Sequence, residues 1–167
     1  CFAVIAALLT CGNAANRTWN GGGGNDLWST AANWGGTAPG VTGDTLFFDG
    51  STRLTPSNTT VTSLNGITFA TNAGSFILSG SGFTLGGNVA NNSGVLQTIS
   101  NNMVLNSGRT FDTANGAITL FGDISGTGGT QALTKNGEDT LTLAGTTNSF
   151  TGALLIQQGT VLLDAAQ

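Results

Sequence analysis

The residues in this chain that could carry out chemistry are few, and their spacing suits few reactions. Its acids are Asp26, Asp44, Asp49, Asp112, Asp123, Glu138, Asp139 and Asp164. Glycoside hydrolysis needs two carboxyls facing one bond, and a lyase needs a base beside Arg, Lys or calcium ligands. Only Asp44 with Asp49 and Glu138 with Asp139 are close in sequence, and Asp49-Gly50 and Glu138-Asp139 read as turn residues. There is no histidine for a Ser-His-Asp triad or a zinc site, and no calcium-loop spacing. The expectation is therefore a protein that is not an enzyme, with no catalytic residue, no cofactor and no metal site.

Other candidate features have a plainer reading. Gly21 to Gly24 lacks the Lys-Ser/Thr and the preceding buried strand of a phosphate loop, so it reads as a linker or cap. Trp19, Trp28 and Trp34 offer either a sugar-stacking platform or a plug for one end of a repetitive fold. All three precede the first clear strand, which favours the plug. Glycosylation sequons fall at Asn16, Asn58 and Asn91, in a composition where chance matches are expected.

The composition sets the frame for these residues. Charged residues are 7% of the 167, against about a quarter in ordinary soluble domains. Hydrophobic residues make up 39%, and Gly, Thr, Asn and Ser take the place of the missing charge. Disorder pairs low hydrophobicity with high net charge, and neither holds here. With four bases (Arg17, Arg53, Arg109 and Lys135) scattered and a net charge of −4, no basic stripe exists to neutralise phosphates. Nucleic acid and anionic membrane surfaces are excluded as partners on that ground.

Residues 1–15 stand apart as an apolar leader. Cys1 to Thr10 is apolar and Cys11 to Ala15 small and polar, as in the second half of a secretory signal, with Gly12 and Ala14 placed for a peptidase. Leu8-Leu9-Thr10-Cys11 is an imperfect lipobox. The run is too short to span a bilayer as a helix, so no transmembrane segment is expected. If retained, Phe2, Val4, Ile5, Leu8 and Leu9 would form an assembly strand able to complete another subunit's sheet. Both cysteines lie in this leader, so the body has no disulfide framework.

From Asp44 onward, short runs alternate with a period of two between Gly, Asn, Asp and Ser, which signals strands and an all-β chain. A longer period lies over them. Leu78, Ile99, Leu120, Leu143 and Leu163 recur every 20 to 23 residues, about the spacing of solenoid repeats. Phe83, Val104 and Ile124 suggest a second column. The turn after each strand holds Gly80, Asn101, Gly122 or Gly145, residues that tolerate positive φ. A coil stacking on itself requires such columns, with apolar residues inward, Thr, Ser and Asn outward, and Asn amide ladders at the corners. An antiparallel sandwich also shows frequent turns but does not explain the column spacing. The period allows roughly five to six short rungs.

At Leu133 the chain reaches a recognisable pattern. Leu133, Thr134, Lys135 and Gly137 are followed by Thr140, Leu141, Leu143 and Gly145. Then come Asn148, Phe150, Thr151 and Gly152, and finally Gly159 and Thr160. This stretch resembles the passenger-associated repeat of bacterial autotransporters, also called the autotransporter-associated β-strand repeat. Asp139 replaces a glycine, Phe150 the commoner tyrosine and Val161 a leucine. Asn16 to Gly50, with its three tryptophans, Gly21 to Gly24, Gly43, Asp44, Phe47 and Asp49, resembles the Trp-rich opening of large proteins carrying the same motif. The resemblance implies a right-handed parallel β-helix displayed outside the cell.

The expected organisation is a leader at 1–15, a Trp/Gly-rich cap at 16–50 and a parallel β-helix at 51–167 with its recognisable repeat at 133–163. The expected function is a secreted or cell-surface structural protein, a solenoid stalk or self-assembling fibre subunit. Self-association would proceed by strand addition, or by head-to-tail stacking on a C-terminal edge at Leu154, Ile156, Val161 and Leu163. The alternatives are an adhesin binding glycan or host protein through its Thr/Asn-rich face, and a polysaccharide-degrading enzyme on the same scaffold.

Overall fold

The computed structural model describes residues 14–40, 43–126 and 133–164. The alternating runs form sixteen short strands among the described residues, with a single 3-10 turn at Ala31–Trp34 and no α-helix. Every strand pairing is parallel, which rules out the sandwich. The chain winds as a β-solenoid of about five turns.

Three ladders run along it. The first stacks β3 (Ser57–Asn58), β5 (Ile77–Gly80), β8 (Gln97–Ile99), β11 (Ile118–Leu120), β14 (Thr140–Leu143) and β16 (Thr160–Leu163). The second stacks β4 (Ser63–Phe69), β6 (Phe83–Leu85), β9 (Met103–Leu105) and β12 (Ile124–Gly126). The third runs from β1 (Asn16–Trp19) and β2 (Asp44–Phe48) through β4 to β7 (Val89–Asn91), β10 (Arg109–Asp112), β13 (Leu133–Asn136) and β15 (Leu154–Ile156). Strand β4 serves two ladders: Ser63 and Leu64 pair with β6, and Ile67–Phe69 pair with β7. Its bend passes Gly66, beside the carbonyl of Asn88. Because β1 and β2 lie in the same ladder as β4, the Trp-rich segment is continuous with the solenoid.

The expected column is present residue for residue: Leu78 pairs with Ile99, Ile99 with Leu120, Leu120 with Leu143 and Leu143 with Leu163. The second column needs a correction. Phe83 and Ile124 both pair with Met103, while Val104 pairs with Thr84 and Ser125 and faces outward. In Met103-Val104-Leu105 every residue is apolar, so the sequence gives no phase, and a slip of one residue exchanges inside for outside.

The corners also differ from expectation. Of Gly80, Gly122 and Gly145, only Gly80 has positive φ, at 91°. What Gly122 supplies is room, since a Cβ there would lie 2.0 Å from the carbonyl oxygen of Asn101 in the turn before. Nor do corner asparagines form an amide ladder, because Asn58 and Asn101 alternate with glycine in the column. Each is buried and turns its amide onto backbone. Asn58 Nδ2 donates to the carbonyls of Val61 and Ser81 at 2.8 and 2.9 Å, and Asn101 Nδ2 to those of Ser79 and Ser81 at 2.7 and 2.9 Å.

Candidate functional site

No described feature has the form of a reaction centre; the features that stand out are a closed end, a buried ammonium group and an exposed last turn. The closed end is aromatic. Trp19 and Trp28 are fully buried and Trp34 nearly so. Trp34 stands edge-on to Trp19 with centroids 5.1 Å apart, and also packs on Phe48, which stacks on Phe69 at 5.5 Å. Trp34 Nε1 donates to the Trp28 carbonyl at 2.8 Å, satisfying a buried donor. With the indoles packed inside, they provide no exposed face on which a sugar could stack.

Two polar residues hold this cap together. Asn33 is buried, accepts from Gly23 N through Oδ1 and donates through Nδ2 to the carbonyls of Asn25 and Leu27. The glycine run is therefore packing material of the cap. Asp44 is also buried, and its carboxylate accepts from Ala15 N and Gly40 N, each at 2.8 Å, and from Arg17 Nε at 3.0 Å. Burial pushes its pKa up, but the N–H groups of Gly40 and Ala15 and the Arg17 guanidinium outweigh it, and the value lies below the ordinary one. The sequence places Asp44 within the recognised Trp-rich opening but gives no sign of its buried bonding, and Asn33 looks like an ordinary turn residue.

The buried ammonium is Lys135, third residue of the recognised stretch. It occupies an inward column whose other members are Leu46, Ile67, Val89 and Phe111, and it is fully buried. Its Nζ donates to the carbonyls of Asn136 at 2.9 Å, Gly137 at 2.7 Å and, in the next turn, Gln158 at 3.0 Å. Gly159 has a φ of 73°, and a Cβ there would lie 2.4 Å from the Gly137 carbonyl oxygen and 2.7 Å from that of Asp139, so the position requires glycine. Burial lowers the Lys135 pKa, and Asp112 and Asp139 act against that shift. Lys135, Gly137 and Gly159 thus form one clasp between successive turns.

The remaining acids mostly have structural partners. Asp26 accepts from the Thr55 hydroxyl and Arg53, and Asp123 from the hydroxyl and N–H of Thr147, so both carboxyls are held below their ordinary range. Glu138 accepts from Gln158. Asp112 and Asp123 lie on different ladders. No group of three or more His, Cys, Asp and Glu side chains stands together among the described residues.

Of the sequon asparagines, Asn16 is exposed. Asn58 and Asn91 are buried with both ends of their amides bonded, and Asn91 Nδ2 donates to the carbonyls of Val95 and Ala117 at 2.8 and 2.9 Å. A glycan at either would break open its corner. The assembly strand of Phe2, Val4, Ile5, Leu8 and Leu9 lies outside the described residues.

The last turn carries Leu154, Ile156, Val161 and Leu163 on the inward columns. Ile156 is 54% exposed and Leu163 67%, against 3% for Leu143 one turn earlier. Phe150, Leu154, Leu143 and Leu163 line a cleft of about 370 Å³ at this end.

A parallel solenoid closed by aromatic residues at one end and held by a repeat-encoded clasp near the other defines a scaffold class. The family model described as passenger-associated-transport-repeat matches residues 133–163, the stretch that builds the clasp and the last turn. No curated protein and no solved structure matches the chain. The repeat and the solenoid together fit a structural, passenger-like protein of the autotransporter-associated kind, and the repeat points to an extracellular or surface setting. No helix among the described residues is long and apolar enough to cross a membrane.

Proposed function

We propose that this chain is a non-catalytic extracellular structural protein, a β-solenoid stalk or fibre subunit that holds a rigid surface outside the cell. The observation that carries this reading is the unbroken parallel stack. Its inward columns run from the tryptophan cap to the last turn, and the one register shift among the described residues lies at Asp44 and Thr45. A stack of this kind resists bending because its middle turns bond to their neighbours along all three ladders.

Self-association is the partner reading. Strands β15 and β16 each pair with one neighbour, and the apolar side chains of their turn are exposed. Another turn, from a second copy or from an added strand such as Phe2 to Leu9, would bury them. The adhesin reading has less support, because the three tryptophans are not available for stacking.

Two measurements test the proposal. Antibody against the chain should label intact source cells without permeabilisation; signal confined to lysed cells would sink the extracellular reading. Electron microscopy should show filaments of the full chain that disappear when it is shortened to begin at Asn16. Monomers at every concentration would remove self-assembly and leave a passive stalk.

A further inference from the structure

The outer face of the first ladder exposes apolar side chains over successive turns. Its central column runs Ile77, Thr98, Thr119, Thr142, Leu162. Two residues to either side of Thr98 stand Leu96 and Ser100, and to either side of Thr119 stand Ala117 and Phe121. Ile77 is 46% exposed, Leu96 49%, Phe121 56% and Leu162 51%. From β5 to β16 this outer face carries one charged residue, Asp164 in the last turn, and the Asp26–Arg53 ion pair stands at its β3 edge. A contiguous uncharged patch with protruding apolar side chains marks an interaction surface.

We infer that the occupant of this face is a second copy of the chain, docked face to face with the two solenoids side by side and parallel. The shape of the rows carries the inference. A two-fold axis parallel to the solenoid axis sets the left side of each row against the right side of the same row in the partner. Leu96 then lies over Ser100 and Phe121 over Ala117, in both directions. Leu96 and Phe121 each meet a small residue, and the central column, Ile77 and Leu162 included, meets its own image. This contact differs from any stacking on the last turn and does not depend on it. A stable glycan contact would instead need an exposed aromatic plane with directional polar groups around it. This face has only Phe121 among aromatics.

The size of the face sets the strength. Five strands at about 4.8 Å spacing, each contributing about five residues of about 3.3 Å, give roughly 400 Å² of projected face per copy. Allowing for side-chain relief, a dimer buries on the order of 1,000 Å² in total, the low end for a specific contact, so dissociation is expected at about micromolar to millimolar levels.

Sedimentation equilibrium of the full chain from micromolar to millimolar concentration tests this, with thermal melts confirming that each variant is folded. The expected result is a reversible dimer step in the full chain beneath any filament growth, and a simple monomer–dimer equilibrium once the chain is shortened to begin at Asn16. F121K, and A117F alone, should each weaken it at least about tenfold. The double variant A117F/F121A exchanges knob and hole and should recover to within about threefold of the original. L163K, which alters only the last turn, should leave it unchanged. A monomer throughout would overturn the inference, as would association lost in L163K but kept in F121K. Retention on crystalline cellulose that F121K abolishes, in a chain that never dimerises, would overturn it in favour of a polysaccharide partner.

Discussion

At the scale of single residues, two buried charges do most to fix this structure, and each predicts a different signature. Asp44 ties the first strand, the Gly40 loop and Arg17 to one carboxylate. Replacement by Asn keeps the shape but weakens three charge-assisted bonds, so D44N should cost about 2–4 kcal/mol at neutral pH by chemical denaturation. Asp26, Asp44 and Asp123 all have carboxyls below the ordinary value of 3.8. Their contribution is therefore complete above that pH and disappears as pH falls through the lower folded values. Melting temperature should drop along that acid limb, and the drop should be shallower in D44N; an unaltered limb would show that the cap carboxylate is not linked to folding. Lys135 differs because its surroundings are apolar. K135M fits the column of Val89 and Phe111 but removes the donor to the Gly137 and Gln158 carbonyls, while the Asn136 carbonyl keeps Thr113. A loss of about 2–4 kcal/mol is expected, with faster amide exchange concentrated at residues 157–160. If exchange instead rises evenly along the chain, the clasp between turns is not what Lys135 provides.

At the scale of elements, the corners decide whether turns can stack. A Cβ at Gly122 would meet the Asn101 carbonyl at 2.0 Å, whereas one at Gly24 would meet nothing within 4 Å. G122A should therefore destabilise by about 3 kcal/mol or more and G24A by less than about 0.5, read from paired thermal melts. Equal effects would mean that the turns have slack the geometry does not suggest. This element scale is also where the sequence was most legible. A column repeating Leu78, Ile99, Leu120, Leu143 and Leu163 can be read because each leucine or isoleucine has a polar outward residue on at least one side. Val104 was misplaced because its flanks are as apolar as itself. Gly80 has the positive φ expected of a corner, but Gly122 and Gly145 are needed for close approach between turns, which leaves no trace in a single turn's residues. Lys135 was matched to the repeat, but its burial was not visible, since a lone lysine in Thr-Lys-Asn reads as solvated. Asp44 falls in the recognised Trp-rich opening, but its bonds and those of Asn33 were not legible, because their partners lie 4 to 29 and 6 to 10 residues away and follow no spacing rule.

At the scale of the whole molecule, the first and last described turns are unlike, and stability should follow that difference. Each turn of a solenoid is held only by its neighbours, so local stability is set by how well the turn is covered. At the cap, Trp19, Trp28, Trp34 and Phe48 cover the first turn with aromatic rings. In the last turn Leu163 and Ile156 remain largely exposed, though they occupy columns that are fully or nearly fully buried one turn earlier. Opening the last turn forfeits little burial, whereas opening β8 or β11 exposes Ile99, Ile118 and Leu120 together with both neighbouring interfaces. Native-state amide exchange in dilute, monomeric solution should therefore show the least protection in Leu154–Ile156 and Thr160–Leu163 and the most in β8 and β11. Equal protection at both positions would contradict a nearest-neighbour stack. The same measurement at high concentration separates the two modes of association. Stacking or strand addition on the last turn would raise protection at Thr160–Leu163 selectively, because the added backbone bonds form there. Lateral docking through Thr98, Thr119 and Phe121 buries side chains whose backbone is already bonded within the ladder. It would slow exchange across the middle turns while the last turn stayed open, so the position of the added protection reports which surface the second copy uses.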